Sequence, residues 1–405
     1  MRMRLRAGAA CLALMIALCA APSRAQQVRA EVGKPLLAAK AAMAAHNYTK
    51  AMAAVRQADN VAAKTAHEAL LVAQMRAAVA QASGDIATAS KAYQTLIDSG
   101  QIGAEQEQQL MQAEVSIAFQ EKNYANVVFW AERYMNAGGT SAAMRNYLIQ
   151  GYYLQQKYAE AAKFQLAQIQ AETHAGHPPT EEQLQLLYSC QNHLGDKVGA
   201  LATIKQLIAY YPKPDYWLNV IDTLRTKPGF SDRLLLDVYR LEFSLGLVNK
   251  PEDAMDMAEL ALQAKLPGEA QDVVDKSFAG GLLGTGAEAS RHQRLKALVD
   301  KTYASMKTGL GHDDADAATD RDGNRLLSLG ETYVSYGMFD KGIPMMEEAI
   351  RKDELRHTED AKLQLGLAYL KAGNKKKAIA ELQTVGGTEG VADLAQLWIL
   401  HIGKA

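Results

Sequence analysis

The stretch QLGLAYLKAGNKKKAIAEL, residues 364–382, decides the fold. Its apolar residues recur at the three- and four-residue spacing of a helix on both sides of Gly373 and Asn374. A glycine followed by an asparagine is suited to end one helix and to cap the next. The stretch therefore predicts a hairpin of two short amphipathic helices.

Turns of the same kind recur along the chain, and each leads to a small or modest residue where two helices must approach closely. These residues are Ala51, Ala89, Val127, Ala161, Ala200, Gly342 and Ala378. The intervals are 38, 38, 34 and 39 residues from Ala51 to Ala200, and 36 residues from Gly342 to Ala378. Such a period is typical of a helical solenoid, in which each hairpin buries its apolar face on its neighbour.

The last two hairpins carry a more specific pattern. It consists of Leu365, Gly366, Tyr369, Ala378 and Leu382 in the final hairpin, and of Leu329, Gly330, Tyr333, Gly342 and Met346 in the one before it. This pattern resembles the tetratricopeptide repeat (TPR), and an earlier hairpin keeps part of it in Leu148, Tyr152 and Ala161. The resemblance implies an all-α fold, a right-handed α-solenoid of TPR-like helical hairpins, and a role in binding proteins or peptides.

The composition favours the same fold class. Aromatic residues make up 7% of the 405 residues, and runs of alternating β-branched or aromatic residues are hard to find. Only one of the three cysteines, Cys190, lies beyond the first 25 residues. We therefore expect helix packing, and no internal disulfide, to supply the stability.

Residues 1–25 have the three-part pattern of a secretory signal peptide. Arginines at positions 2, 4 and 6 precede the apolar run 7–21, and Ser23 and Ala25 form a small-x-small cleavage site. We expect a mature chain that begins near Gln26 and is exported to a bacterial periplasm. A retained anchor is the weaker alternative because the run is shorter than the roughly 20 residues that span a bilayer. Lipidation at Cys19 is disfavoured by Leu18, where lipoprotein signals carry a small residue.

Cleavage would also change the charge of the protein. It would remove four arginines and no acidic residue, so the formal net charge would change from −1 to −5. A chain of this charge lacks the basic surface that supports nucleic-acid binding. Because no later segment is apolar enough to cross a bilayer, we expect a mature chain with no membrane span.

Changes in periodicity and composition predict five parts. The regular interval is lost between Ala200 and Gly342, although apolar helical segments continue there, and residues 311–324 are acidic and poor in large apolar side chains. The predicted parts are the signal peptide (1–25), an N-terminal TPR-like solenoid (26–217), a diverged helical-hairpin region (218–310), an acidic loop (311–324) and a C-terminal TPR pair with an end helix (325–405).

The sequence contains no standard motif for catalysis, a metal centre or a bound cofactor. His174 and His177 fall in a polar connection with two prolines, which disfavours a metal site. The run DRDG at residues 320–323 fails as a calcium-binding EF-hand because Ala318 and Leu329 occupy ligand positions. Cys190 lies in an apolar helical run and is predicted to be a buried, unreactive thiol. We therefore expect no active site, no cofactor and no metal.

One pattern suits recognition. In TPR arrays the first helix of each hairpin lines the concave surface, and the residue fifteen before the small position of the second helix faces that surface. Four consecutive hairpins carry an amide there, at Gln74, Gln112, Asn146 and Gln185, followed seven residues later by Gln81, Phe119, Tyr153 and Asn192. Amides can bond the backbone of an extended peptide, and aromatic rings offer apolar contact. The alternative is an ordinary solvated helix surface, since glutamine is a good helix former.

The end helix VADLAQLWILHIG, residues 391–403, is apolar around most of its circumference. The ends of solenoids usually carry a polar outer face. We expect the helix to pack on the last hairpin, and the alternative is a contact with a partner or a homodimer.

These features together predict an exported TPR-like scaffold or adaptor that binds protein or peptide partners in the bacterial cell envelope. The alternative function is an accessory factor that holds glycan in polysaccharide export or cell-wall assembly, because the amides and Tyr153 would also suit a sugar polymer.

Overall fold

The computed structural model describes residues 28–312, 323–352 and 354–403. In this part of the chain the regular elements are twenty α-helices and one short 3-10 helix, with no strand. The predicted all-α fold is therefore confirmed. The predicted signal peptide lies outside the described residues, as do residues 313–322 of the predicted acidic loop.

The chain divides into two compact units at residues 161 and 162, inside one helix. We call them unit 1 (up to Ala161) and unit 2 (from Ala162). The helices of unit 1 are α1 (Ala30–Ala44), α2 (Tyr48–Asp59), α3 (Ala66–Ser83), α4 (Ile86–Asp98), α5 (Ala104–Gln120), α6 (Tyr124–Asn136), α7 (Ala142–Leu154) and the first four residues of α8 (Tyr158–His174).

Unit 2 contains the rest of α8 and the helices that follow it. These are α9 (Glu181–Leu194), α10 (Lys197–Tyr210), α11 (Pro214–Arg225), the 3-10 helix (Asp232–Leu234), α12 (Leu235–Ser244), α13 (Pro251–Gln263), α14 (Pro267–Ala279), α15 (Ala289–Gly309), α16 (Gly323–Ser335), α17 (Phe339–Arg351), α18 (Thr358–Lys371), α19 (Lys375–Leu382) and α20 (Val391–Ile402). The structure thus contains the predicted array of helical hairpins. The division of the chain into five parts stays a prediction.

A recurring turn starts the second helix of most hairpins. A residue in the left-handed region is followed by an Asn or Asp whose side chain accepts a hydrogen bond from the backbone N–H three residues on. The caps are Asn47, Asp85, Asn123, Asp196 and Asn374, with N···O distances of 2.9–3.2 Å. Each cap satisfies a backbone donor that the helix itself leaves unpaired, which fixes where the second helix begins.

The small residues of the predicted period occupy one structural position, the fourth residue of the second helix, and they are buried. The α16–α17 hairpin has a close backbone approach at this position. A Cβ atom at Gly342 would lie 2.5 Å from the carbonyl oxygen of Gly330, and one at Gly330 would lie 2.9 Å from the carbonyl oxygen of Gly342. No side chain fits between the two backbones at this crossing.

The region between Ala200 and Gly342 contains an unpredicted member of the same series. Ala270 is the fourth residue of α14, is fully buried, and lies 70 residues after Ala200 and 72 before Gly342. At this turn Leu266 occupies the cap position, where five other hairpins have an Asn or Asp. The left-handed residue that precedes it, Lys265, is retained.

The end helix α20 packs inside unit 2, which confirms the predicted packing of its apolar surface. Leu394, Leu397, Trp398 and Ile402 are buried, and α20 lies against α10 and α12 as well as α19. Ion pairs also hold α20 in place. Lys227, just after α11, pairs with Asp393 of α20 at 2.7 Å between Nζ and Oδ2. A simple solenoid repeat contacts only its neighbours, so unit 2 departs from that arrangement.

Replacing Gly342 by alanine should destabilise unit 2 by about 1–3 kcal/mol, because the new methyl group would push α17 away from α16. Urea unfolding of the full-length protein measures the loss. Gly309→Ala is the matched control, since a Cβ atom there meets no atom within 4 Å. That variant should be neutral or slightly stabilised through helix propensity. Equal losses in both variants would contradict the close approach.

Candidate protein-binding groove

A groove of 780 Å³ lies in unit 1 along the first helices of three successive hairpins. Its lining comes mainly from α1, α3 and α5, with Tyr48 of α2 and with Tyr93 and Leu96 of α4. The volume falls within the range of about 300–1,000 Å³ that ligand-binding clefts usually have. The first helices therefore form a shared surface, as the TPR resemblance implies.

Helix α1 contributes an apolar strip to the groove. Leu36, Leu37 and Met43 line it, together with Gly33 and Lys40. Their spacing of three, four and seven residues places them on one side of the helix. Leu37 is 69% exposed, although leucine side chains gain free energy when they are buried. Leu36 is buried and Met43 is partly exposed, so Leu37 is the residue of this apolar strip that offers most of its surface to a guest.

Helix α3 contributes both apolar and amide side chains. Gln74 and Gln81, seven residues apart, line the groove with Leu71 and Met75. Three alanines of α3 also line it, at Ala77, Ala78 and Ala82. Because alanine side chains are small, a guest chain can approach the backbone of α3 closely. Gln106 and Leu110 of α5 complete the opposite side.

The groove is nearly uncharged. Lys40 is the one Lys, Arg, Asp or Glu residue in its lining, and its side chain is exposed. His46 also lines the groove and its Nδ1 lies 3.0 Å from the Tyr48 hydroxyl. Amide and ammonium groups along an apolar floor can orient a guest while the floor supplies most of the burial energy.

Glu68 of α3 holds the beginning of α1 in place. Its buried carboxylate accepts hydrogen bonds from the Arg29 backbone N–H at 2.9 Å, from Arg29 Nε at 3.0 Å and from the Thr65 backbone N–H at 2.9 Å. The Arg29 side chain, followed by the two backbone donors, lowers the pKa of Glu68 to about 2. These bonds hold the beginning of α1 against α3, and both helices line the groove.

Four of the predicted site residues lie elsewhere in unit 1. Gln112 and Phe119 belong to α5, and Asn146 and Tyr153 belong to α7; none of them is among the residues that line the groove. The two aromatic rings pack on neighbouring rings, with centroid distances of 5.0 Å from Phe119 to Tyr147 and 5.5 Å from Tyr153 to Tyr158. The structure therefore brings Gln74 and Gln81 into the groove and leaves these four outside it.

The remaining two predicted site residues, Gln185 and Asn192, lie on α9 in unit 2. Gln185 Nε2 donates to the Tyr216 hydroxyl at 2.6 Å, so this amide joins two successive hairpins. Asn192 is exposed. A binding role for the whole amide row stays a prediction.

The apolar side of the groove was missed by sequence reasoning. The signal was present, because Leu36 occupies the row position of the first hairpin where later hairpins carry amides. The adjacent Leu37 and the more distant Met43 continue the same helical face. Because Leu36 has the same register as the amides, this position already indicated that α1 faces the same surface.

The other candidate reactive residues are placed as follows. Cys190 is completely buried, and burial raises the pKa of its thiol to about 11. His174 Nδ1 lies 2.8 Å from the Gln170 carbonyl oxygen at the end of α8. The described residues hold no cluster of three or more metal-ligating side chains. No helix among them is both long and apolar enough to cross a membrane.

Comparisons with known proteins give distant structural matches. No family model matches the chain, and no curated protein matches it. Among solved structures it is similar to yeast Tom70 (11% identity, TM-score 0.25, covering 92% of this chain and 96% of that one). It is also similar to Naa15/Naa10 bound to HypK-THB, with 15% identity and a TM-score of 0.33, over 90% of this chain and 65% of that one. The third structure is the P58(IPK) TPR domain, with 11% identity and a TM-score of 0.25, over 93% of this chain and 99% of that one. We therefore build the functional proposal on the chain's own residues.

Replacing Glu68 by glutamine should loosen α1, because a neutral amide oxygen is a weaker acceptor for the Arg29 guanidinium. Amide hydrogen exchange in α1 should accelerate roughly tenfold or more while α5 and α6 stay unchanged. Glu121→Gln, on the exposed end of α5, is the control. Unchanged exchange in α1 would show that Glu68 does not hold the groove wall.

The same contact gives a pH dependence. The folded-state pKa of Glu68 is lowered from 4.5 to about 2, so its contribution to stability is complete above about pH 4.5 and is lost as the pH falls towards 2.

Proposed function

We propose that this protein is an exported adaptor of the bacterial cell envelope, and that the groove of unit 1 holds an apolar segment of a partner protein. The observation that carries the proposal is the groove itself. It combines an apolar strip on α1, of which Leu37 is exposed, with two amides spaced along α3. Export is proposed from the signal-peptide pattern of residues 1–25.

The lining favours a peptide with apolar side chains. A guest side chain that reached Leu37 and Met75 would bury apolar surface on both partners, and each leucine-sized guest side chain contributes about 1.5–3 kcal/mol when fully buried. Gln74 and Gln81 can donate to and accept from the guest backbone, and their seven-residue spacing puts them two turns apart on the same side of α3.

The charges favour a guest with a carboxylate. Lys40 is exposed beside Leu37 and Met43, and no acidic residue lines the groove. An acidic side chain or the C-terminal carboxylate of the partner can therefore pair with Lys40 without meeting a like charge. An exposed pair of this kind adds orientation and only about 0–1 kcal/mol of affinity.

The groove offers less support for the glycan alternative. Sugar polymers require many polar partners, whereas most of the residues that line the groove are apolar. The end helix is not proposed as a dimer contact, because its apolar residues are buried within unit 2.

Leu37→Asp should abolish capture of the partner from an envelope extract, lowering recovery at least about tenfold, because it places a charge on the apolar wall. Leu37 is 69% exposed, so the substitution should leave folding intact, as circular dichroism can confirm. Phe129→Asp is the matched control, since Phe129 is an exposed apolar residue of unit 1 that does not line the groove. It should retain the partner.

Three outcomes would contradict the proposal. Equal recovery with Leu37→Asp and the native chain would show that the groove is not the contact. Loss with Gln112→Ala/Asn146→Ala/Gln185→Ala but not with Leu37→Asp would place the contact on the amide row instead. Competition by oligosaccharides, and not by the partner's peptides, would favour the glycan alternative.

A further inference from the structure

A cluster of charged side chains lies inside unit 2. At its centre, Arg240 of α12 is buried and its guanidinium donates to Glu269 of α14, from Nε to Oε1 at 2.6 Å and from Nη2 to Oε2 at 2.9 Å. Its Nη1 donates to Asp237 Oδ1 at 2.6 Å. The paired geometry with Glu269 is the bidentate arrangement that Arg and a carboxylate form best.

Helix α18 closes the cluster from a third direction. Gln364 accepts from Arg240 Nη1 at 2.6 Å and donates to Asp237 Oδ1 at 2.6 Å. Lys371 Nζ donates to Glu269 Oε2 at 3.3 Å. Two cations thus meet two carboxylates, and every one of these charges has a direct partner.

A third carboxyl group, Glu331 of α16, lies against the same cluster. It lines a cavity of about 20 Å³ together with Arg240, Glu269, Gln364 and Lys371. A cavity of this size holds about one water molecule. Within the described residues, no hydrogen bond or ion pair involves the Glu331 carboxyl group, and no third cation lines the cavity to match it.

The contact between α16 and α14 leaves little room for adjustment. A Cβ atom at Gly268 would lie 2.0 Å from the carbonyl oxygen of Ser335, one turn beyond Glu331. On the other side of this contact, Thr332 Oγ1 donates to the Lys265 carbonyl oxygen at 3.2 Å. Glu331 is partly exposed, so the side of its carboxyl group that lines the cavity can be hydrated only if water enters the cavity or α16 moves.

We propose that Glu331 is a proton-operated switch in unit 2. When neutral, it completes a charge-balanced cluster that joins α12, α14, α16 and α18. When it loses its proton to solvent, the uncompensated carboxylate draws water into the cavity and separates α16 from α14 and α18.

The electrostatic surroundings support this assignment. Burial raises the pKa of Glu331 to about 7; Arg240 opposes the shift, whereas Asp237, Glu269 and Asp360 add to it. Arg240 and Lys371 hold the pKa of Glu269 well below its usual range despite its burial. Burial also raises the pKa of Asp237, but Asp237 has direct bonds to Arg240 and Gln364 that Glu331 lacks.

The sign of the pH effect follows from the raised pKa. Between about pH 4.5 and about pH 7, the folded protein binds the Glu331 proton while the unfolded chain has released it. The contribution of Glu331 to the free energy of unfolding therefore decreases as the pH rises through this interval. The decrease levels off above about pH 7.

The test compares full-length wild type with Glu331→Gln, which keeps the shape and cannot ionise. From about pH 5 to about pH 8, the thermal midpoint of wild type should fall relative to that of the variant, and the variant should be the more stable protein above neutrality. The ratio of wild-type to variant hydrogen exchange in α16 should rise over the same interval. Because both proteins are compared at each pH, the intrinsic pH dependence of exchange cancels. Glu259→Gln, exposed on α13, is the control and should follow wild type.

Parallel pH profiles for wild type and Glu331→Gln would overturn the switch, as would a variant that is less stable at every pH. A ¹³C carboxyl titration of Glu331 in wild type needs no folded variant. A titration midpoint near 7 supports the proposal, and one near the ordinary value of 4.5 contradicts it.

Discussion

The close approach of two helices at the fourth residue of each second helix is the constraint on which the rest of the structure depends. In most hairpins a left-handed residue and an Asn or Asp cap fix where that helix begins, and a small residue then allows the backbones to meet. At Gly330 and Gly342 the tolerance is smaller than a methyl group. In unit 1 the repetition of this geometry places α1, α3 and α5 around one groove.

The parts of the fold that local chemistry encodes could be predicted from the sequence. Caps such as Asn47 and Asn374 and the period of buried small residues are local signals, and they predicted the hairpins correctly. The exception, Ala270, shows the limit of such signals. There Lys265 keeps the left-handed backbone of the turn, but Leu266 occupies the cap position and Pro267 begins the helix. The backbone geometry is therefore the same although the residue types differ.

The sites depend on contacts that no local pattern contains. Arg240 meets Gln364 across 124 residues, and Lys227 meets Asp393 across 166 residues. The amide row was predicted from helical register alone. In the structure, some of its members line the groove and others pack on neighbouring side chains. Gln74 entered the groove, whereas Gln185 became a link to the next hairpin through Tyr216. Register specifies which helix face a residue occupies, but neighbouring side chains decide whether it meets a ligand.

The central claim is that a partner protein occupies the groove of unit 1. Its most direct test is site-specific photocrosslinking in cells, with p-benzoylphenylalanine at Leu37 and, in a separate protein, at Val198. Both side chains are exposed, at 69% and 83%, but only Leu37 lines the groove. The account predicts a discrete adduct from position 37 that maps to one apolar segment of the partner, with none from position 198. Adducts of equal yield at both positions, or an adduct at position 198 alone, would contradict it.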